Sequence, residues 1–143
     1  WNLKDGRKLV ATSVTEGISQ LKFYIYDRGQ VKLGGFLAPD VTKVTLEDFY
    51  DTTGLTPKQR TNLSRLFQKR ALFRYALPRQ GTSLEMHMGF PVQDMEYETM
   101  FLDTDYGYLK QCRYIIFHWQ NERWVKEVKT LSKVDADEDC QCL

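Results

Sequence analysis

The sequence is poor in the residues that mark several specialised classes of protein. It has three cysteines, four prolines and two histidines among 143 residues. Three cysteines are too few for a disulfide-rich scaffold, and two histidines leave few groups for proton transfer near neutral pH. The net charge is only +1, which argues against a dedicated nucleic-acid binder. No apolar run approaches the roughly 20 residues of a membrane span.

The length of the chain predicts one domain around one hydrophobic core. No internal repeat or long linker divides the sequence. We therefore predict a single domain over residues 1–134, followed by an acidic, cysteine-containing tail over residues 135–143.

The clearest pattern lies between Tyr97 and Leu131. Residues 108–120 alternate so that one face of a strand carries Ile115, Phe117 and Trp119. The alternation stops at residues 121–123 and resumes from Trp124. Residues 97–102 form a third strand-like run, before a turn at 103–107. These runs predict a three-strand meander, and apolar residues on both faces predict that it is covered on both sides.

The first forty residues predict shorter strands joined as hairpins. The predicted strands are 9–15, 21–26 and 30–36, with a tight turn at Asp27 to Gly29. A further strand is expected at 83–89, where Met86 and Met88 share one face and His87 the other. A methionine-lined core explains this pattern better than copper ligation does.

One main helix is expected between the two β regions. Thr56, Pro57 and Gln59 form a capping box with proline at the first helical position. Leu63, Leu66 and Phe67 fall on one side of that helix. We expect this helix to end near Leu72. A shorter helical turn is expected before it, at residues 45–50.

These elements predict an α+β fold. A single curved antiparallel sheet, shaped as a half-barrel, barrel or cone, packs on the main helix, with hairpins at the amino-terminal end and the meander at the carboxyl-terminal end. A cone of the nuclear-transport-factor or cystatin type is the main alternative, because it also ends in a long meander.

Two short fragments resemble lipocalin motifs. Residues 102–106, with Cys112 shortly after, resemble a lipocalin strand signature, and residues 46–49 resemble the carboxyl-terminal helix of that family. Their order is reversed, and the early Gly-x-Trp motif is missing. The resemblance implies only that antiparallel strands and a helix enclose an apolar cavity, and it assigns no binding residues.

The main helix also has a basic face. Lys58, Arg65 and Lys69 project within a narrow arc, opposite the apolar side. Such a stripe is expected on any solvated helix, and it also suits docking on an acidic neighbour in a larger assembly.

The three cysteines are compatible with either an oxidising compartment or the cytoplasm as the location of the protein. In an oxidising compartment Cys112 would pair with Cys140 or Cys142 and hold the tail against the sheet, with one thiol left for another chain. In the cytoplasm the same residues would be a buried thiol and two tail thiols. We expect an extracellular or secretory location, with the cytoplasm as the alternative.

The sequence contains no recognisable catalytic motif, metal-binding motif or cofactor motif. A small isomerase or hydrolase could use Glu98, Asp103, Asp105 or His118 as acid or base if a cavity shifted its pKa.

We expect instead a non-catalytic binding protein that recognises a protein partner or an apolar small molecule through a sheet face or a cavity. The residues expected to carry binding are aromatic: Tyr24, Tyr26, Trp119 and Trp124. A disulfide-linked or non-covalent oligomer is compatible with the free cysteine and with the basic face.

Overall fold

The computed structural model describes residues 1–16, 18–78, 81–88 and 112–131. The strands in this part are β1 (Lys8–Glu16), β2 (Ile18–Asp27), β3 (Gln30–Leu33), β4 (Phe73–Ala76), β5 (Ser83–Met88), β6 (Arg113–Gln120) and β7 (Arg123–Thr130). The helix α1 spans Pro57–Arg70. Three short 3-10 helices span Gly35–Leu37, Val41–Lys43 and Leu46–Asp48.

The described strands form two antiparallel sheets, with the orders β1-β2-β3 and β4-β5-β6-β7. The predicted α+β class and the amino-terminal hairpins are confirmed. The single continuous sheet is replaced by two sheets, which do not close into a barrel. The 3-10 helices and α1 lie between β3 and β4 in the sequence. The strands of the first sheet therefore all precede the helix, and those of the second sheet all follow it.

Two-residue turns fix the register of two hairpins. Arg28 and Gly29 join β2 to β3 with φ of 45° and 86°, and Asn121 and Glu122 join β6 to β7 with φ of 51° and 61°. Positive φ at both central residues is the geometry that matches the twist of hairpin strands. Both turns lie where the sequence predicts them.

The helix α1 begins as its capping box predicts. The Thr56 hydroxyl accepts a hydrogen bond from the Gln59 N–H, and the Gln59 side chain accepts one from the Thr56 N–H at 2.9 Å. Leu63, Leu66 and Phe67 are buried, so the apolar side of the helix packs inward. The helix ends at Arg70, two residues before the predicted position.

Both sheets, α1 and the turn at Leu46–Asp48 share one hydrophobic core. The first sheet contributes Leu9, Phe23 and Ile25, and β6 contributes Ile115 and Phe117. Alternation therefore leaves each sheet with one inner and one outer face.

The sequence predicts the last hairpin of the second sheet and does not predict β4. β4 pairs antiparallel with β5, and the buried Met86 and Met88 of β5 lie opposite Tyr75 and Phe73. The last hairpin of the predicted meander is present as β6 and β7. The predicted strand at 97–102, the turn at 103–107 and the tail at 135–143 lie outside the described residues.

Candidate binding face

The first sheet exposes an apolar outer face. Its inner face buries Leu9, Phe23 and Ile25, and the alternate positions of the same strands point away from the core. These positions carry the side chains that we name the outer apolar face: Val10, Tyr24, Tyr26, Val31 and Leu33.

The register places these side chains side by side across three strands. Val10 lies opposite Tyr24, which lies opposite Leu33, and Tyr26 lies opposite Val31. Val31 is 64% exposed and Leu33 is 77% exposed, far more than a core valine or leucine. Contiguous exposed apolar side chains on a soluble protein mark an interaction surface more often than scattered ones do.

A shallow concavity lies on this face. It has a volume of about 320 Å³ and is lined by Val10, Thr12, Tyr24, Tyr26 and Val31. Its lining is almost entirely apolar, with the hydroxyls of the threonine and the two tyrosines as its side-chain polar groups. This composition suits contact with an apolar surface and a small number of orienting hydrogen bonds.

Lysines flank the outer apolar face. Lys8 lies opposite Tyr26, and Lys22 lies opposite Thr12, so both occupy outward positions of the same sheet. Both are exposed. The face therefore combines an apolar centre with a cationic border, which favours a partner that carries acidic groups around an apolar contact.

The structure separates the four aromatic residues that the sequence predicts as binding residues. Tyr24 and Tyr26 belong to the outer apolar face. The rings of Trp119 and Trp124 lie 5.0 Å apart, and Trp124 also packs 4.9 Å from Trp1 and 5.9 Å from Phe23.

The indole nitrogens in this tryptophan cluster are occupied by the protein itself. Trp124 Nε1 donates to the Leu37 carbonyl at 2.7 Å, and Trp119 Nε1 donates to the Asn2 carbonyl at 3.3 Å. Both side chains are half-buried. Their contacts join the second sheet to Phe23 of the first sheet, which is a structural role.

The basic helix face is exposed as its spacing predicts. Lys58, Arg65 and Lys69 are all exposed, on the side of α1 opposite the buried Leu63 and Phe67. It lies on a different element from the outer apolar face. Its role as a docking surface for an acidic neighbour stays a prediction.

The outer face of the second sheet carries a group of polar side chains. His118 Nε2 lies 2.7 Å from Glu127 Oε2, and Lys129 Nζ lies 2.6 Å from Glu127 Oε1. Hydrogen bonds from Lys129 first, and from His118 second, hold the pKa of Glu127 below its usual value. On the same face the His87 and Tyr114 rings stack with centroids 4.9 Å apart.

The pair of His118 and Glu127 is relevant to the alternative hypothesis that the protein is an enzyme. His118 is half-buried and paired with a carboxylate, which is one part of an acid–base site. The other predicted acids and bases, Glu98, Asp103 and Asp105, lie outside the described residues. Within the described ranges, no group of three or more His, Cys, Asp or Glu side chains is arranged to hold a metal ion.

The predicted disulfide of Cys112 is not formed in this structure. Cys112 is a buried free thiol whose Sγ lies 3.9 Å from the Phe49 carbonyl oxygen, and its N–H donates to the same carbonyl at 3.0 Å. These contacts hold the residue inside the domain. Cys140 and Cys142 lie outside the described residues.

Comparison with known proteins gives a fold and no activity. No family model and no curated protein matches the chain. Among solved structures, the chain is similar to a domain of an uncharacterized protein from Porphyromonas gingivalis W83, with a TM-score of 0.53 and 14% sequence identity. The match covers 90% of this chain and 62% of that chain, so this chain spans less than two thirds of its neighbour. At this identity the likeness shows the fold alone.

Sequence reasoning found two of the residues on the outer apolar face and missed the others. Val10, Val31 and Leu33 carry no chemical motif. The available signal was the alternation of the first three strands, which leaves valine and leucine where a solvated face would carry polar side chains.

In the part of the chain that the structure describes, no helix is long and apolar enough to cross a membrane.

Proposed function

We propose that this protein is a non-catalytic binding protein whose outer apolar face docks on another protein. One observation supports this most strongly: three adjacent strands place five apolar or aromatic side chains on one outward face, of which Tyr24 is half-buried and the other four, Val10, Tyr26, Val31 and Leu33, are exposed. Burial of such a patch releases roughly 25 cal/mol per Å² of apolar surface. Tyrosine adds ordered contact area and a hydroxyl for hydrogen bonding.

The proposed partner has an apolar contact surface bordered by acidic groups. Lys8 and Lys22 flank the outer apolar face, so acidic groups on the partner would steer association and fix its orientation. An extracellular location for this interaction is part of the proposal and rests on the cysteine pattern of the sequence alone.

The proposal is tested with a photo-crosslinking amino acid at position 10 in the native host. A partner captured there is then purified, and its affinity for the unmodified chain is measured by calorimetry. Val10→Glu should weaken binding by about tenfold or more, since it places a charge in an apolar contact.

Val125→Glu is the matched control. Val125 is 38% exposed and Val10 is 43% exposed, and Val125 lies in β7 of the other sheet. Equal affinities of the two variants for the purified partner would overturn the proposal.

A further inference from the structure

We propose that the partner contributes an extended acidic peptide segment, which adds as a new strand to the free edge of β3. This inference rests on the proposed function and names the chemistry of its partner. It depends on the backbone of β3, on the side chains beside it and on the charge of the first sheet.

In the part of the chain that the structure describes, one edge of β3 has no neighbouring strand, and we call it the free edge. β3 ends the order β1-β2-β3, and no described strand pairs with its second edge. After a two-residue turn, hydrogen-bonded and non-hydrogen-bonded pairs alternate along a hairpin. The backbone groups of Lys32 therefore bond to β2, whereas those of Val31 and Leu33 face the free edge. The Gly34 N–H donates to the Phe23 carbonyl at 2.8 Å, as this alternation requires.

The same two residues present exposed side chains. Val31 and Leu33 lie on the outer apolar face, so an added strand would meet their backbone and their side chains together. Strand addition of this kind obtains affinity from main-chain hydrogen bonds and specificity from alternate side chains. The apolar side chains of the peptide would then continue the outer apolar face.

The charge of the first sheet favours an acidic strand. Residues 8–33 carry four basic side chains and two acidic ones, so their net charge is 4 − 2 = +2. The basic residues are Lys8, Lys22, Arg28 and Lys32, and all four are exposed. A second copy of the chain would bring like charges together at this edge, whereas an acidic peptide would be attracted to it.

The first experiment uses two labelled synthetic peptides with the complete chain. One peptide alternates glutamate and valine, and the other alternates lysine and valine. Fluorescence anisotropy should show roughly tenfold tighter binding of the glutamate peptide, with affinity that falls as salt is added. Equal binding of both peptides, or binding of neither, would overturn the proposal.

Hydrogen exchange then locates the peptide. On binding, the amides of Val31 and Leu33 should exchange more slowly, whereas the amide of Lys32, already bonded to β2, should change little. A glutamate and valine peptide that is N-methylated along its pairing edge should not bind, because it has lost the donors that the free carbonyls require.

Val31→Pro removes one outward N–H and should weaken peptide binding by roughly tenfold. Val128→Pro is the matched control, because by the same alternation the N–H of Val128 faces the edge of β7 that no described strand pairs with. It should leave peptide affinity unchanged. If Val31→Pro does not fold, the N-methylated peptide decides the question with the unmodified chain.

Two other outcomes contradict this inference and leave the proposed function standing. Peptide binding without protection of the Val31 and Leu33 amides would place the ligand on the outer apolar face and not at the edge. Self-association that the peptide displaces would make a second copy the occupant of the edge. The proposed function is tested separately, by the affinity of the Val10→Glu variant for the purified partner.

Discussion

A single carboxylate links the turn before α1 to the last strand. Asp48 is buried, and its Oδ2 accepts a hydrogen bond from the Thr45 N–H at 2.8 Å. Lys126 Nζ on β7 donates to both Asp48 oxygens, at 2.9 and 2.8 Å, and also to the Lys43 carbonyl at 3.1 Å. The lysine therefore neutralises a charge that burial would otherwise disfavour.

Lys126→Met should lower the free energy of unfolding by about 2 kcal/mol, since it leaves a largely buried carboxylate without its cation. Lys129→Met is the control, because Lys129 pairs with Glu127 on an exposed face, where an ion pair contributes about 0–1 kcal/mol. Urea unfolding of both variants measures the difference. Equal losses in the two variants would contradict a special role for the Asp48 pair.

Glu127 makes the stability of the chain depend on pH. Its pKa is lowered in the folded protein by hydrogen bonds from Lys129 and then from His118. A lowered folded pKa means that the ionised carboxylate stabilises the fold above the unfolded pKa, which is near 4.3 for glutamate. This contribution is lost as the pH falls through the folded pKa.

The unfolding midpoint of Glu127→Gln should therefore lie below that of the unmodified chain at about pH 6, and the difference should shrink as the pH falls through the folded pKa of Glu127. Urea titrations at a series of decreasing pH values measure the difference. A gap that persists unchanged in acid would show that Glu127 stabilises the fold through packing and not through its charge.

At the scale of elements, the start of α1 depends on its capping box. Thr56→Ala removes the hydroxyl that accepts from the Gln59 N–H and should cost about 1 kcal/mol of stability. Thr61→Ala is the control in the same helix, where alanine has the better helix propensity and the change should be neutral or slightly stabilising. A Thr56→Ala variant as stable as the control would show that tertiary contacts alone hold the helix start.

The elements that the sequence predicts well are those with local causes. The helix start follows from Thr56 and Gln59, and the turn at Arg28 and Gly29 follows from the glycine, which adopts positive φ without a steric penalty. β4 has no such cause. Its four residues follow α1 closely and become a strand because β5 pairs with them.

At the scale of the whole molecule, the tryptophan cluster joins the two sheets. Trp124 on β7 packs against Phe23 of β2 and donates to the Leu37 carbonyl. Trp124→Phe should cost roughly 1–3 kcal/mol, because it leaves that half-buried carbonyl without its donor and opens space beside Phe23.

Trp119→Phe is the comparison variant, because the Trp119 hydrogen bond to the Asn2 carbonyl is longer, at 3.3 Å, and exposed. It should cost less than Trp124→Phe in thermal or urea unfolding. A larger loss of stability in Trp119→Phe than in Trp124→Phe would show that Trp119 makes the more important contact between the two sheets.

The sequence by itself determined the α+β class, the main helix with its buried side, the amino-terminal hairpins and the last hairpin. Each of these follows from spacing or from turn chemistry within a few residues. The tertiary structure decided which aromatic residues are occupied by internal contacts. It also divided the described strands between two sheets and left one edge of β3, beside the outer apolar face, unpaired with any other described strand. These features depend on which distant segments pack together, because the alternation within one strand shows which side chains share a face but not which segment covers that face.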